Sequence, residues 1–219
     1  PAGGPALTPA EALVWLEGAA REDQRAALAR YGIPSGNAMG VPMAAMVGWA
    51  KGRPKDHALA AALWADGRYE ARTLAALIDD PAQVTASQMD DWVAAFDNWA
   101  ICDTAAFRLF DRAPDRWSRP AVWAVSEALY VRRAAFALLW ALALHDKGAG
   151  DAGFIAGLRL ARDAAVDDRP HVQKAVSMAV RAVGQHRGLG QAALDWAEQV
   201  EPLGRTAART AREVRKALA

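Results

Sequence analysis

Apolar residues recur along this chain at steps of three and four positions, which is the spacing of an α-helix that buries one face. Short breaks that contain proline or glycine, both of which end helices, separate these segments. The pattern predicts thirteen helices, at residues 9–19, 22–31, 38–51, 56–65, 69–79, 86–97, 99–112, 120–127, 129–146, 151–165, 171–186, 190–200 and 204–218. No break is long enough to be a linker, so residues 1–219 are predicted to form a single domain that begins with a loose tail at residues 1–7.

The amino-acid composition and the spacing of the predicted helices indicate helices stacked in layers. The chain contains 54 alanines and only 4 isoleucines, which favours closely packed helices over sheet. Helix pairs recur about every 30 to 40 residues without a strict sequence repeat, as in α-solenoids of the HEAT and armadillo class. A globular bundle is the alternative, but short helices joined by tight turns stack in layers more easily than they close around one core. We therefore predict an all-α, curved α-solenoid.

An acidic residue interrupts an aromatic stripe between Trp92 and Phe110. If this stretch is helical, positions 92, 96, 99, 103, 107 and 110 share one face, which then carries five aromatic rings and Asp103. A carboxylate among aromatic rings loses hydration, so it needs either a cationic partner or a function. Arg132 and Arg133 are the candidate cations, and a catalytically silent buried ion pair is the alternative to a functional carboxylate.

The segment that follows these arginines is apolar on every side. Residues 134–144 include no polar side chain, and a helix of that kind lies inside a protein. Arg133 falls in line with Phe136 and Trp140, so its guanidinium is predicted at the edge of the interior. There it requires an anion, supplied by the protein or by a ligand. Trp140 itself, like the chain's tryptophans other than Trp99, is assigned to core or helix contacts.

The charge is nearly balanced overall but unevenly distributed. Residues 1–128 hold 12 Lys and Arg against 16 Asp and Glu, a net charge of −4. Residues 129–219 hold 14 against 9, a net charge of +5. A basic half suits a polyanion bound on one side, and an ordinary solvated surface is the alternative.

Cysteine and histidine usage limits the possible chemistry. A lone cysteine, Cys102, excludes an internal disulfide and is interpreted as an inert core thiol, while four scattered histidines indicate no metal site and receive no role. No long apolar segment or basic leader is present in the sequence, so we expect a soluble cytoplasmic protein that does not enter a membrane.

Ten short segments of the chain, taken together, resemble one protein family. They are Tyr31-Gly32-Ile33, Gly40-Val41, Leu63-Trp64, Glu70-Ala71-Arg72, Asp79-Asp80-Pro81, Gln88-Met89-Asp90, Asp97-Asn98-Trp99, Cys102-Asp103, Arg133-Ala134-Ala135-Phe136 and Gln173-Lys174-Ala175-Val176. Their order and spacing resemble those of the AlkD-like DNA alkylation repair proteins, which are DNA glycosylases built from HEAT-like repeats.

The resemblance implies that the protein binds duplex DNA on a concave face and hydrolyses the bond between deoxyribose and a cationic N3- or N7-alkylated purine. It implies catalytic roles for Trp99 and Asp103 and a DNA-phosphate contact for Arg133. It also implies that the protein engages the lesion through the DNA backbone without a base-flipping pocket. We further expect a monomer that needs no cofactor and no metal.

Further residues are assigned by position. Met178 and Tyr130 are expected beside the lesion, and the basic residues expected to contact DNA phosphates are Lys174, Arg181, Arg205, Arg209 and Arg212. For any one of these cations, a merely solvated charge is the alternative.

The sequence departs from the family pattern at three positions. Met178 stands where the family commonly has a second lesion-side tryptophan, and Ala100 and Ala141 replace an aspartate and a lysine found in some members. Retention of Trp99, Asp103 and Arg133 favours a glycosylase. The loss of an aromatic wall favours the alternative, a catalytically weak or inactive solenoid that binds DNA structures or serves as a protein scaffold.

Overall fold

A computed structural model of the protein describes residues 7–219, and this part of the chain is helical, with no β-strand. Its tertiary contacts form two compact units, one that ends at Val84 and one that runs from Thr85 to Ala219. We call them the N-terminal and C-terminal units. A single domain for the whole chain stays a prediction. The predicted tail lies outside the described residues except for Leu7.

From Leu7 onward, the N-terminal unit contains five α-helices. They are α1 Pro9–Gly18, α2 Glu22–Leu28, α3 Met43–Ala50, α4 His57–Asp66 and α5 Tyr69–Ile78, and a 3₁₀ turn follows α2 at Ala29–Tyr31. Helix α1 begins at a capping box in which Thr8 and Glu11 satisfy each other's backbone N–H groups. Helix α5 is buried at residues 70–71 and 73–78 and packs against α1, α3 and α4, so it forms the centre of this unit.

Helix α3 begins at Met43, five residues later than predicted. The backbone N–H groups of residues 39–41 instead donate to the buried carboxylate of Glu70, at N–O distances of 2.8, 2.6 and 3.2 Å. Gly40 takes a φ of 84°, and a Cβ there would lie 2.2 Å from the carbonyl oxygen of Arg21. This loop is therefore held open by a carboxylate thirty residues away, an interaction that helical periodicity does not show.

The C-terminal unit contains eight α-helices. They are α6 Ala86–Ala94, α7 Trp99–Arg108, α8 Arg119–Trp123, α9 Leu129–His145, α10 Asp151–Asp163, α11 Pro170–His186, α12 Gly190–Val200 and α13 Arg205–Leu218, with 3₁₀ turns at Phe110–Arg112 and Glu201–Leu203. Helices α7, α9, α11 and α13 pack against one another in that order, while α8, α10 and α12 pack on them. The unit is thus a stack of helix pairs, as the repeat rhythm predicted.

The apolar segment of α9 is at the centre of this stack. Residues 133–139 and 141–143 are buried, which confirms that this helix has no solvent face over most of its length. Helix α9 packs chiefly against α7 on one side and α11 on the other. The side chains that α9 presents between those two helices are therefore fixed by the core.

The aromatic stripe is divided between two helices. Helix α6 ends at Ala94, and Asn98 caps the start of α7 by accepting hydrogen bonds from the N–H groups of Ala100 and Ile101, each at 3.0 Å. The rings of Trp92 and Phe110 still lie 6.2 Å apart. Two rings of the predicted stripe therefore lie near each other although they belong to different helical segments.

Candidate functional site

A cleft of about 340 Å³ opens among helices α7, α9 and α11 of the C-terminal unit. It is lined by Trp99, Asp103, Arg133, Trp140, His171, Lys174 and Met178. We call it the Asp103 cleft. It brings together five of the residues that the sequence predicted for the site, and it adds Trp140 and His171, to which the sequence assigned no function.

Each wall of the Asp103 cleft is placed by a well-defined helix. The Asn98 cap makes Trp99 the first residue of α7, so Asp103 lies one turn further on the same face. Arg133 follows the first turn of α9, immediately before the apolar segment. Pro170, at the first position of α11, starts the helix that carries His171 and Lys174.

Asp103 and Arg133 form a bidentate ion pair in this cleft. Arg133 Nε donates to Asp103 Oδ1 at 3.0 Å, and Nη2 donates to Oδ2 at 2.7 Å. Arg133 Nη1 donates to the backbone oxygen of His171 at 2.7 Å, so the guanidinium links all three helices. The Arg133 side chain is 5% exposed and that of Asp103 is 18% exposed, so the carboxylate is the more accessible end of the pair.

The structure decides between the two candidate arginines. Arg132 donates to Asp167 at 2.9 Å and to the backbone oxygen of Ala124 at 2.8 Å, so it serves a different carboxylate. Arg133 donates three of its five N–H groups to acceptors within the protein. Its predicted contact with a DNA phosphate stays a prediction.

Burial and charge act against each other at the ion pair. Burial raises the pKa of the Asp103 carboxyl above its ordinary value, although the hydrogen bonds and charge of Arg133 oppose that rise. Burial disfavours the charged guanidinium, but Asp103 raises the pKa of Arg133 overall. The arginine therefore remains charged and holds the carboxylate in one orientation.

A second pair of side chains bridges α7 and α9 next to the ion pair. The rings of Phe107 and Trp140 lie 4.5 Å apart, at an interplanar angle of 78°. The ring of His145 lies 5.8 Å from that of Phe107 and is hydrogen-bonded to Asp111 at 2.5 Å. The aromatic side of the Asp103 cleft is therefore supported by packing behind it.

His171 is the histidine that sequence reasoning overlooked. Burial and the nearby charge of Arg133 lower the pKa of its imidazole, so the ring is neutral at physiological pH. The ring of Tyr130 lies 5.7 Å from it. Tyr130 does not line the Asp103 cleft, and of the two residues predicted beside the lesion only Met178 does.

The predicted phosphate contacts occupy two adjacent helices. On α11, exposed Lys174 lines the cleft, and half-buried Arg181 donates to the Met178 sulfur at 3.7 Å. On α13, Arg205, Arg209 and Arg212 are exposed. Lys174 and Arg209 also line a smaller polar recess of about 100 Å³ between the two helices. Four of these five cations are thus accessible to a polyanion.

Other kinds of site receive no support. Within residues 7–219, no three His, Cys, Asp or Glu side chains are placed to hold a metal ion. No helix in that part of the chain has the length and apolarity to span a membrane. Cys102 is buried, and burial raises the pKa of its thiol well above the ordinary value, consistent with its interpretation as an inert core residue.

Comparison with known families shows to which family this chain belongs. A sequence model of the family described as "DNA alkylation repair enzyme" matches residues 14–214, nearly the whole chain. The chain belongs to this family. Membership in the DNA alkylation repair family confirms the resemblance drawn from the ten short segments and places the Asp103 cleft within the matched region.

A solved structure shares the fold of this member of the DNA alkylation repair family. It is described as "A new family of proteins related to the HEAT-like repeat DNA glycosylases with affinity for branched DNA structures". The TM-score is 0.77 at 20% sequence identity, over 89% of this chain and 83% of that chain. The likeness confirms the predicted fold class, an all-α array of HEAT-like repeats. No curated protein matches the chain.

Proposed function

We propose that this protein hydrolyses the N-glycosidic bond of cationic N3- or N7-alkylated purines in duplex DNA. The observation that carries the proposal is a carboxylate, Asp103, held in fixed orientation by Arg133 in an open cleft whose walls include tryptophan side chains. Family membership supports the same reaction class. No cofactor enters the proposed chemistry.

The reaction suits a site that has one carboxylate and no second acid. An alkylated N3 or N7 gives the purine a positive charge, so the base leaves with the electrons of the C1′–N bond and needs no prior protonation. Positive charge then develops on the deoxyribose. Asp103 stabilises that charge, and a water molecule adds to C1′ and loses a proton to solvent.

The Asp103–Arg133 pair acts as a preorganised dipole. The carboxylate is the more exposed partner, so the negative end of the pair is available to the substrate while the guanidinium is held behind it. Groups fixed before the reaction stabilise developing charge without paying for reorganisation. Arg133 is thus proposed primarily as the residue that positions Asp103, and any phosphate contact would use its remaining N–H groups.

The surrounding residues are proposed to bind the lesion and its backbone. Trp99 presents an aromatic ring to the same cleft, where a cation–π contact with the sugar would contribute about 0.5 to 2 kcal/mol. Lys174 lines both the cleft and the recess that it shares with Arg209 and Glu213, and the two cations are proposed to contact phosphates of the DNA backbone. Arg205 and Arg212 extend this basic surface along α13.

The second candidate function is binding of branched DNA without catalysis. Both oxygens of Asp103 are occupied by Arg133, as in a structural ion pair, and the similar solved structure is described as having affinity for branched DNA. Met178 in place of an aromatic wall points the same way.

One experiment separates the two functions. Duplex DNA that carries 7-methylguanine or 3-methyladenine is incubated with the wild-type protein and with Asp103→Asn, and free base is quantified beside a protein-free control. Binding to unmodified duplex and to four-way junction DNA is measured in parallel. Release of base above the uncatalysed rate that requires Asp103 supports the glycosylase. Tight junction binding with no release supports the binding protein.

A further inference from the structure

Trp140 differs from its neighbours on the buried face of α9. Of residues 134–143, it is the one whose side chain is not buried, and it lines the Asp103 cleft. Part of the indole is packed in the helix stack, and part of it is open to the cleft. The open part is accessible to a molecule that enters the cleft.

The ring of Trp140 is aligned with the catalytic ion pair. Trp140 follows Arg133 by seven residues on α9, and Phe107 follows Asp103 by four residues on α7. The aromatic pair therefore lies about 6 Å further along α7 and about 10 Å further along α9 than the ion pair. Phe107 packs nearly perpendicular to Trp140, at 4.5 Å between ring centres, and fixes the indole in place.

We propose that Trp140 forms a second aromatic wall of the Asp103 cleft and contacts the positively charged nucleoside there. This inference rests on the proposed function and names a further residue of the same site. The cleft is then lined by two indoles, Trp99 from α7 and Trp140 from α9, and by the carboxylate of Asp103, which is paired with Arg133 of α9. A cationic sugar or base is attracted both by the carboxylate and by the face of an indole ring.

The proposal explains how the cleft binds a cation although Met178 offers no aromatic face on α11. A thioether is polarisable but lacks the quadrupole of an aromatic ring. The recognition of positive charge is therefore assigned to helices α7 and α9, while α11 contributes Lys174 for the backbone. Met178 fills space on the third side.

The test uses two substitutions and one matched control. Trp140→Leu keeps apolar bulk and removes the aromatic face, whereas Trp140→Phe keeps a smaller face and the packing against Phe107. Trp117→Leu is the control, because Trp117 is also partly exposed in the C-terminal unit and packs edge-on against Phe154, at 4.9 Å and 84°. It lines a separate apolar cleft of about 390 Å³.

The probes are two duplexes that differ in charge at one position. One contains a pyrrolidine abasic analogue, which is a cation shaped like the deoxyribose oxocarbenium ion, and the other contains a neutral tetrahydrofuran abasic site. The ratio of the two Kd values measures the preference for positive charge. We expect Trp140→Leu to reduce this preference about 2- to 10-fold, Trp140→Phe to reduce it less, and Trp117→Leu to leave it unchanged.

The outcomes separate this inference from the proposed function. A folded Trp140→Leu protein with the wild-type ratio overturns the inference, and so does a wild-type protein with no preference for the cation. If Trp140→Leu does not fold, an unchanged ratio in Trp140→Phe overturns it. A wild-type protein that prefers the cationic duplex through Trp140 but releases no alkylated base refutes the excision reaction and leaves the aromatic wall standing.

Discussion

Replacement of Asp103 by asparagine is the most informative single change in this protein. The substitution keeps the shape of the side chain and one acceptor oxygen, but it removes the negative charge and one of the two charge-assisted bonds to Arg133. The guanidinium, 5% exposed, is then left without a counter-ion. We expect a loss of about 2 to 4 kcal/mol in the free energy of unfolding.

The same change should affect catalysis more than binding. Removal of one preorganised group that stabilises developing charge typically lowers kcat about 10²- to 10³-fold. We expect DNA affinity to depend on the cations proposed to contact phosphates on α11 and α13. The substitution leaves these cations in place, so Kd for unmodified duplex should change less than about threefold. The assay is single-turnover release of 7-methylguanine, measured with saturating protein at a temperature well below the melting point of the variant.

A matched ion pair of the same unit supplies the control. Asp167 accepts from Arg132 at 2.9 Å and from Arg169 at 2.6 Å, its side chain is 4% exposed, and it does not line the Asp103 cleft. Asp167→Asn should lower Tm by a similar amount, roughly 5 to 15 °C, with excision nearly unchanged. If both variants lose excision in proportion to their loss of stability, Asp103 is a structural residue and the reasoning about charge stabilisation is wrong.

Three further outcomes are expected. Burial raises the pKa of the Asp103 carboxyl above its usual value of 3.8, and only the ionised carboxylate stabilises a cation. The excision rate should therefore decline as the pH falls through that raised pKa. A pH–rate profile of Asp103→Asn should lack this decline. Lys174→Ala and Arg209→Ala should each reduce the slope of log Kd against log salt by about one in binding titrations, and an unchanged slope would show that the residue contacts no phosphate. Gly40→Ala should lower the free energy of unfolding by at least about 2 kcal/mol in chemical denaturation, because φ is 84° and the new Cβ would lie 2.2 Å from a backbone oxygen. The control is Gly48→Ala, which has open space on helix α3 and should be neutral or stabilising.

The helices follow from the sequence because their causes are local. The Thr8 capping box, the prolines at helix starts and the apolar segment of α9 each act within a few residues, and the structure contains the corresponding helices. The late start of α3 shows where this reasoning stops. The residues before Met43 have helical spacing, but the carboxylate of Glu70 captures their backbone N–H groups from another helix.

The candidate site was likewise predicted from the sequence only in part. The sequence by itself singled out Asp103 as a carboxylate that needs a cation and Arg133 as a cation that needs an anion. Adjacent Arg132 was an equal candidate, because successive residues on a helix point about 100° apart and periodicity does not tell which of them faces α7. In the packed structure, Arg133 pairs with Asp103 and Arg132 pairs with Asp167. The same packing places Trp140 and His171 in the lining of the cleft. Those placements depend on how three helices cross, which is set by contacts between residues 30 to 40 positions apart in the chain.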